Sequence, residues 1–464
     1  MSKHKYPYIV VPMESDNPSV VRHKDKCIAC GNCQEVCFAR ASVSGYYDLD
    51  KTCDKAICTH CGQCSNVCLT GAIQERSSLQ DVKSALLDGK ILTISLSPAV
   101  RVSLGEMFGM PDGSEVEGKV VTLLKRLGFT YVFDTTFSAD MTIMEEANEL
   151  VHRLNQDENK PMFSSCCPSW VKFVETFYPE FIPNLSTTKS PIAIQGAVIN
   201  NYFAKTMGID RSQLVNVALT PCTAKKYEIT LPNHQDIHFV LTAREIARWA
   251  REENIDLTIL ENTSFDSLLG RGSGAGVIFG NSGGVAEAVM RTASHLLGGK
   301  KVGKVKALRT LADVKEAKLN IRGKTLHIAV INGANNARQY LNQLKLGKAK
   351  HYDFVEVMSC RGGCVGGGGQ PKQHFMYGDK LLRARSRNLY TLDKASALHA
   401  SYENAEVGRA YREFFDKPLS HTAEKYLHTT YTDRSKDLGE KDKISALKNK
   451  IKTITKDKKL GENV

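Results

Sequence analysis

Glu356-Val-Met358-Ser-Cys360-Arg-Gly-Gly-Cys364-Val-Gly-Gly-Gly-Gly-Gln370-Pro371 is the stretch around which the 464-residue chain is organised. A strand-like run (Phe354, Val355, Val357) feeds two cysteines spaced C-x-x-x-C, and a run of four glycines follows. Glycine removes side-chain bulk and permits positive φ, so a large inorganic group can approach the backbone closely. Read alone, the stretch is also compatible with a glycine-rich loop holding two buried cysteines. Two further cysteine motifs elsewhere argue for metal.

Length and composition bound the answer. The chain can bury a full core and should hold two or three domains. With 42% hydrophobic and 24% charged residues, it is ordinarily globular. No signal-peptide pattern opens the sequence, the apolar run Tyr8–Val11 being far too short. No apolar run approaches the roughly 20 residues of a membrane span. A cytoplasmic protein with no membrane association is expected. The formal net charge of +12 comes without aromatic-interleaved basic motifs or zinc-finger spacing, so nucleic acid is not an expected partner. A basic surface that steers an acidic electron carrier fits the charge as well.

Fourteen cysteines could form disulfides in a secreted chain, but their spacing points to reduced thiolates. Cys27, Cys30, Cys33 and Cys37 form a C-x-x-C-x-x-C-x-x-x-C run, and Cys58, Cys61, Cys64 and Cys68 repeat it. Three close thiolates wrap one cubane while the fourth reaches the other, the two-cluster ferredoxin arrangement. One 4Fe–4S cluster is then held by Cys27, Cys30, Cys33 and Cys68, the other by Cys58, Cys61, Cys64 and Cys37. The proline usual after each fourth cysteine is replaced by Phe38 and Leu69. Eight cysteines in this doubled rhythm exceed what tetrahedral zinc asks for. Cys53 lies outside the rhythm as a spare thiol, and His60 reads as a local hydrogen-bonding residue.

From about residue 83 strands alternate with helices. Strands are expected at Ile91–Leu96, Tyr131–Asp134, Val215–Leu219, Val277–Phe279, His327–Ile331 and Phe354–Val357. Helical stretches are expected after Ser97-Pro98-Ala99 through Phe108, at Val120–Leu127 and at Ile143–Leu154. This is an α/β pattern with a mostly parallel sheet, in which ligands collect at the C-terminal ends of strands. The motifs Ser164-Ser-Cys166-Cys167-Pro168-Ser-Trp170 and Thr220-Pro221-Cys222-Thr-Ala-Lys225-Lys-Tyr-Glu228 fall there. Adjacent cysteines do not easily both ligate one cubane. Cys166 or Cys167, with Cys222, Cys360 and Cys364, supplies the four ligands of a third cubane. Gly272-x-Gly274-x-Gly276 lacks the spacing and acidic residue of a dinucleotide loop. With Phe279, Gly283 and Gly284 it reads as close-packed backbone beside the cluster pocket.

These motifs resemble those of the FeFe hydrogenases, which read roughly T-S-C-C-P-x-W, M-P-C-x-x-K-x-x-E and E-x-M-x-C-x-x-G-C-x-x-G-G-G-x-P. The resemblance runs from the ferredoxin-like region to about residue 431. It implies two mostly parallel-sheet lobes around an H-cluster, preceded by an α+β ferredoxin-like domain. The H-cluster joins a 4Fe–4S cubane through a cysteine to a di-iron unit carrying CO, CN⁻ and a bridging dithiolate. By resemblance, Cys167, Cys222, Cys360 and Cys364 hold the cubane, Cys364 bridges, and Cys166 passes protons. Lys225 serves a cyanide, and Met358 packs near the di-iron unit together with Ser97, Pro98, Thr220, Phe279 and Gly284. Glu146 and Glu149, three apart on one helix face with Arg153 four further on, read by periodicity as an ordinary charged face. The resemblance makes them, with Ser186, a proton relay to solvent.

The implied domains are 1–82 (ferredoxin-like), 83–397 (catalytic), 398–431 (small-subunit-like) and a Lys-rich tail, 432–464. In the tail Ile444, Leu447, Ile451 and Ile454 recur at helical spacing. The implied activity is reversible 2H⁺ + 2e⁻ ⇌ H₂, with ferredoxin or a similar acidic carrier as electron partner and maturation enzymes inserting the di-iron unit. A hydrogen sensor and a non-catalytic iron–sulfur assembly protein are the rival readings. Thr220 replaces the usual methionine, Ser169 a common glycine and Ser97 a small apolar residue, which marks a divergent branch.

Overall fold

A computed structural model describes residues 9–156, 160–372 and 378–439. The expected tail helix through Ile444 and Ile454 lies outside the described residues. Near the N-terminus, strands β1 (Val20–Arg22) and β2 (Ile73–Glu75) pair antiparallel. Between them lie the short helices Asn32–Ala39 and Gln63–Asn66, each following a glycine in the left-handed region, Gly31 (φ 82°) and Gly62 (φ 69°). Two residues before each glycine, Ala29 (φ 51°) and His60 (φ 62°) are also left-handed. The two cysteine runs therefore share one backbone turn, and glycine is the residue that adopts its second left-handed position without strain.

Two four-stranded sheets follow. The first is ordered β4 (Tyr131–Asp134), β3 (Ile91–Leu96), β6 (Leu214–Thr220), β7 (Phe239–Thr242), every pair parallel. Its strands read as near-continuous apolar runs because helices cover both faces; Leu92, Ile94, Leu96, Val217 and Leu219 are fully buried. The second is ordered β5 (Met162–Phe163), β10 (Phe354–Met358), β9 (Lys324–Asn332), β8 (Val314–Ile321). Only β8 runs antiparallel there. It is an edge strand whose outward positions Glu316, Lys318 and Asn320 are exposed and polar, which discourages further pairing. Of these strands β5, β7 and β8 had no signal strong enough to predict.

The 21-residue helix Thr135–Asn155 starts at the C-terminal end of β4, where Asp134 accepts the Thr136 N–H at 2.9 Å as N-cap. The expected strand Val277–Phe279 is instead the end of a helix, Gly274–Ile278. Its β-prone residues are overridden by tertiary packing. Ser273 caps it, and a Cβ at Gly276 would sit 2.6 Å from the Thr136 carbonyl oxygen and one at Gly274 2.3 Å from Asp393 Oδ1. The Gly272–Gly276 rhythm thus lets this helix press against its neighbours. Among the described residues no helix is long and apolar enough to cross a membrane.

Candidate metal centre

The C-terminal ends of β3, β5, β6 and β10 converge on one cavity of about 80 Å³. After β3 come Ser97 and Pro98; after β5, Cys166 and Cys167; after β6, Thr220 and Cys222; β10 itself ends in Met358, with Cys364 beyond it. Lys225 and Phe279 complete the wall. Gly284 does not line it, for it packs against the Ile278 carbonyl, where a Cβ would lie 1.7 Å away. Residues of all three cysteine motifs after residue 83 thus meet at one place.

The thiols fall into sets. Burial pushes the Cys364 thiol well up, and the neighbouring Cys222 and Cys167 push it further. Cys222 rises to about 11 for the same reasons, burial first and Cys167 second, with Lys225 opposing. Cys360 is raised by burial and then by Cys61, Cys222, Cys167 and Cys364. A second set forms around Cys64, which is raised by burial, Cys61, Cys58 and Cys37. Around Cys33, burial dominates and Cys30 and Cys68 add to it. The fourth cysteine of each run thus faces the other run's triplet. Buried thiols that oppose one another's ionisation become thiolates only around a cationic centre. The thiol sets fit 4Fe–4S cubanes by donor chemistry.

Lys225 is fixed by two contacts: its Nζ donates to the Cys166 carbonyl at 3.1 Å and to Glu228 Oε2 at 2.9 Å. Burial works against its charge, but Glu228 and Cys222 outweigh burial and its pKa is raised. An ammonium is thus maintained at the cavity wall. The Thr220 hydroxyl accepts the Cys222 N–H at 3.2 Å and donates to the Cys222 carbonyl at 3.1 Å, closing the turn that carries the thiol.

Behind Cys166 lies an acidic file on the helix Thr135–Asn155. Glu146 is buried, and neither carboxylate oxygen has a hydrogen-bond partner among the described residues. Burial, then Glu149 and Glu356, hold its pKa well above the ordinary value. Cys166 is raised by burial and then by Glu146. One turn on, Glu149 receives Ser186 Oγ at 2.7 Å, the Thr187 N–H at 3.1 Å and Arg153 Nη2 at 2.6 Å. Arg153 also holds the Leu185 carbonyl at 2.9 Å and reaches the protein edge.

Some polar contacts were not readable in advance. Glu356 accepts the Gly283 and Ala286 N–H groups at 2.6 and 2.8 Å, so it caps the helix Gly284–Leu296. Gln63 Nε2 reaches Cys360 Sγ at 3.2 Å. Arg244 joins Glu75, Asn66 and Ser65 of the N-terminal region to the Gly368 and Gln370 carbonyls. His60 stacks on Tyr227 at 4.3 Å and meets Asn17 and Lys172, a local hydrogen-bonding role. Cys53 is exposed.

Residues 90–368 match the family described as iron only hydrogenase large subunit, C-terminal domain. The chain belongs to the iron-only hydrogenase family. The family's small-subunit domain, described as iron hydrogenase small subunit, matches residues 379–434. The NADP-reducing hydrogenase subunit HndD of Solidesulfovibrio fructosivorans is 40% identical over 447 residues, covering 90% of this chain and 75% of that one. A cytosolic Fe-S cluster assembly factor, narfl of Danio rerio, is 31% identical over 366 residues, covering 74% and 86%. A solved FeFe-hydrogenase HydA1 from Chlamydomonas reinhardtii superposes with a TM-score of 0.69 at 34% identity, covering 77% of this chain and all of that one. This iron-only hydrogenase relative is therefore an iron–sulfur, metal-binding oxidoreductase by family.

Proposed function

We propose that the protein catalyses 2H⁺ + 2e⁻ ⇌ H₂ at an H-cluster in the cavity, in the cytoplasm, with ferredoxin or a similar acidic carrier supplying or accepting electrons. Residues 1–82 act as the ferredoxin-like relay with two 4Fe–4S clusters on the cysteine sets given above, 83–397 as the catalytic domain and 398–431 as the small-subunit-like segment. The observation that carries this reading is the cavity wall, where Cys166 and Lys225 stand beside Cys167, Cys222 and Cys364.

Cys167, Cys222, Cys360 and Cys364 would hold the cubane, and Cys364 would also bridge to the di-iron unit placed by maturation enzymes. When bound, that group supplies the redox-active iron at which protons and H₂ interconvert. Lys225, kept cationic by Glu228, would hold an anionic ligand of that group. Met358, Phe279, Pro98 and Ser97 exclude bulk water from the cavity. Cys166 gives or takes the proton inside; Glu146, Ser186, Glu149 and Arg153 carry it to the surface. A relay needs titratable or hydroxyl groups close together, and Ser186–Glu149–Arg153 supply an unbroken run of hydrogen bonds.

The 31% identity to narfl supports a second reading, an iron–sulfur assembly factor without turnover. Against it stand Cys166 and Lys225 together. A hydrogen-sensing protein with low turnover is the remaining alternative. Infrared spectra of matured protein decide among them: CO and CN⁻ bands with rapid hydrogen evolution from a reduced artificial donor support the enzyme. Bands with slow turnover favour the sensor, and no bands after maturation leaves the assembly factor.

A further inference from the structure

Gln63 sits between Cys61 and Cys64 in the N-terminal region, yet its side chain points into the catalytic region. Its Nε2 donates to Cys360 Sγ at 3.2 Å and to the Gly366 carbonyl at 2.9 Å, so both amide hydrogens are committed. The loop that carries it is held in place. Thr223 Oγ1 donates to the His60 carbonyl at 2.8 Å, Asn66 Nδ2 donates to the Gly367 carbonyl at 3.1 Å, and a Cβ at Gly62 would strike Thr223 Oγ1 at 2.2 Å. The amide is thus presented to the sulfur by a rigid support.

We propose that Gln63 is a positioning residue by which the N-terminal region sets the reduction potential of the cubane held by Cys360. The inference rests on the reading that Cys360 is a cubane ligand. Reduction adds negative charge to the cluster and its thiolates, so an N–H···S bond is stronger in the reduced state and raises the potential. The donor belongs to the loop whose neighbouring cysteines hold the inner N-terminal cluster. One side chain therefore couples the electron donor's fold to the acceptor's energetics.

The test is an infrared redox titration of the holoenzyme with Gln63→Leu, and with Gln63→Met as a second donor-free variant of similar reach. The CO bands report the cubane's oxidation state. Poised at the wild-type midpoint, either variant is expected to show an oxidised-to-reduced ratio about three- to tenfold higher, the differential worth of one hydrogen bond. Asn66→Ala is the control, since it removes contacts of the same interface, to the Gly367 carbonyl and to Arg244, neither of which ends on sulfur; its midpoint stays at the wild-type value. An unmoved midpoint in both Gln63 variants overturns the proposal. So does an equal shift in Asn66→Ala, which would assign the effect to a loosened interface. Loss of the cubane from both Gln63 variants overturns it too, making the residue structural. Failure of the underlying reading looks different, because wild-type protein would then already lack the cubane signal and its iron.

Discussion

Ser186 donates its hydroxyl to Glu149 Oε2 at 2.7 Å, while Arg153 holds the other carboxylate oxygen at 2.6 Å. One carboxylate thus bridges a buried hydroxyl and an edge guanidinium. Glu146, one turn back on the same helix, has no such partner. The proposed relay therefore has an outer half fixed by side-chain hydrogen bonds and an inner carboxylate with no side-chain partner among the described residues.

Replacing Ser186 by Ala removes the hydroxyl between the two halves. Hydrogen evolution should fall about 10²-fold or more, the lower range for a lost proton-transfer group, with iron content unchanged. Ser186→Thr, which keeps the hydroxyl, should recover much of the rate. Equal activity in the Ala variant would place proton entry elsewhere.

Glu146 carries a stability signature as well. Its pKa is raised from 4.5 by burial. Above 4.5 the unfolded carboxyl releases its proton while the native one retains it, so this group lowers stability as pH rises through that window. Glu146→Gln abolishes the effect. Its melting temperature should exceed wild type by a margin that grows as pH rises above 4.5, the stability difference changing by roughly 1.4 kcal/mol per pH unit at most. Turnover should fall at the same time, since an amide does not relay protons. A margin that is flat with pH would show that Glu146 is ionised in the native protein.

Cys166→Ala should keep the infrared bands and iron while lowering turnover about 10²–10⁴-fold. On the proposed assignment the neighbouring Cys167 supplies the ligand, and a methyl group passes no proton. Hydrogen evolution at the wild-type rate would remove Cys166 from the relay.

At Thr220, methionine restores the residue usual in the family but deletes both contacts to Cys222. The freed Cys222 N–H should turn toward sulfur. Thr220→Met is expected to retain cluster content and to shift the CO bands and the balance of H₂ uptake to evolution. Bands and balance identical to wild type would show that the hydroxyl serves the turn alone.

Arg244 is the buried tie between the two halves of the chain. Glu75 is held below its ordinary pKa because Arg244 and Arg248 outweigh its burial. Arg244→Met leaves that carboxylate with Arg248 alone and should cost up to about 3–5 kcal/mol, read as a lower melting temperature at pH 7. The deficit should shrink as pH falls below 4.5 and Glu75 is protonated in both proteins. A melting temperature within a degree of wild type would show the tie to be redundant.

The strands Ile91–Leu96 and Tyr131–Asp134 were legible to the residue because continuous apolar runs bounded by polar turns have a local signature. The cavity cysteines were legible from their spacing, whereas Lys225 and Met358 were legible only through the resemblance of the motifs around them. Val277–Phe279 misled because the helix there depends on glycines pressed against Thr136 and Asp393, which no local pattern announces. Gln63 with Cys360, and Arg244 with Gly368, were invisible for a related reason. They join residues more than a hundred positions apart, and neither glutamine nor arginine carries any mark of its distant partner. Glu356 stood in plain view within a motif, but its duty as a helix cap depends on where Gly283 comes to lie.

The backbones of Gly62 and Gly368 touch, and a Cβ added at Gly368 would lie 2.7 Å from Gly62 Cα and 2.3 Å from the Cys61 carbonyl oxygen. On the proposed assignment these two loops wrap neighbouring clusters. Electrons cross between such centres by tunnelling, and tunnelling slows exponentially as the gap widens. Two missing methyl groups thus set a timescale. Any side chain at either position would wedge the loops apart and lengthen the hop between those clusters, slowing electron transfer while leaving all the ligands in place.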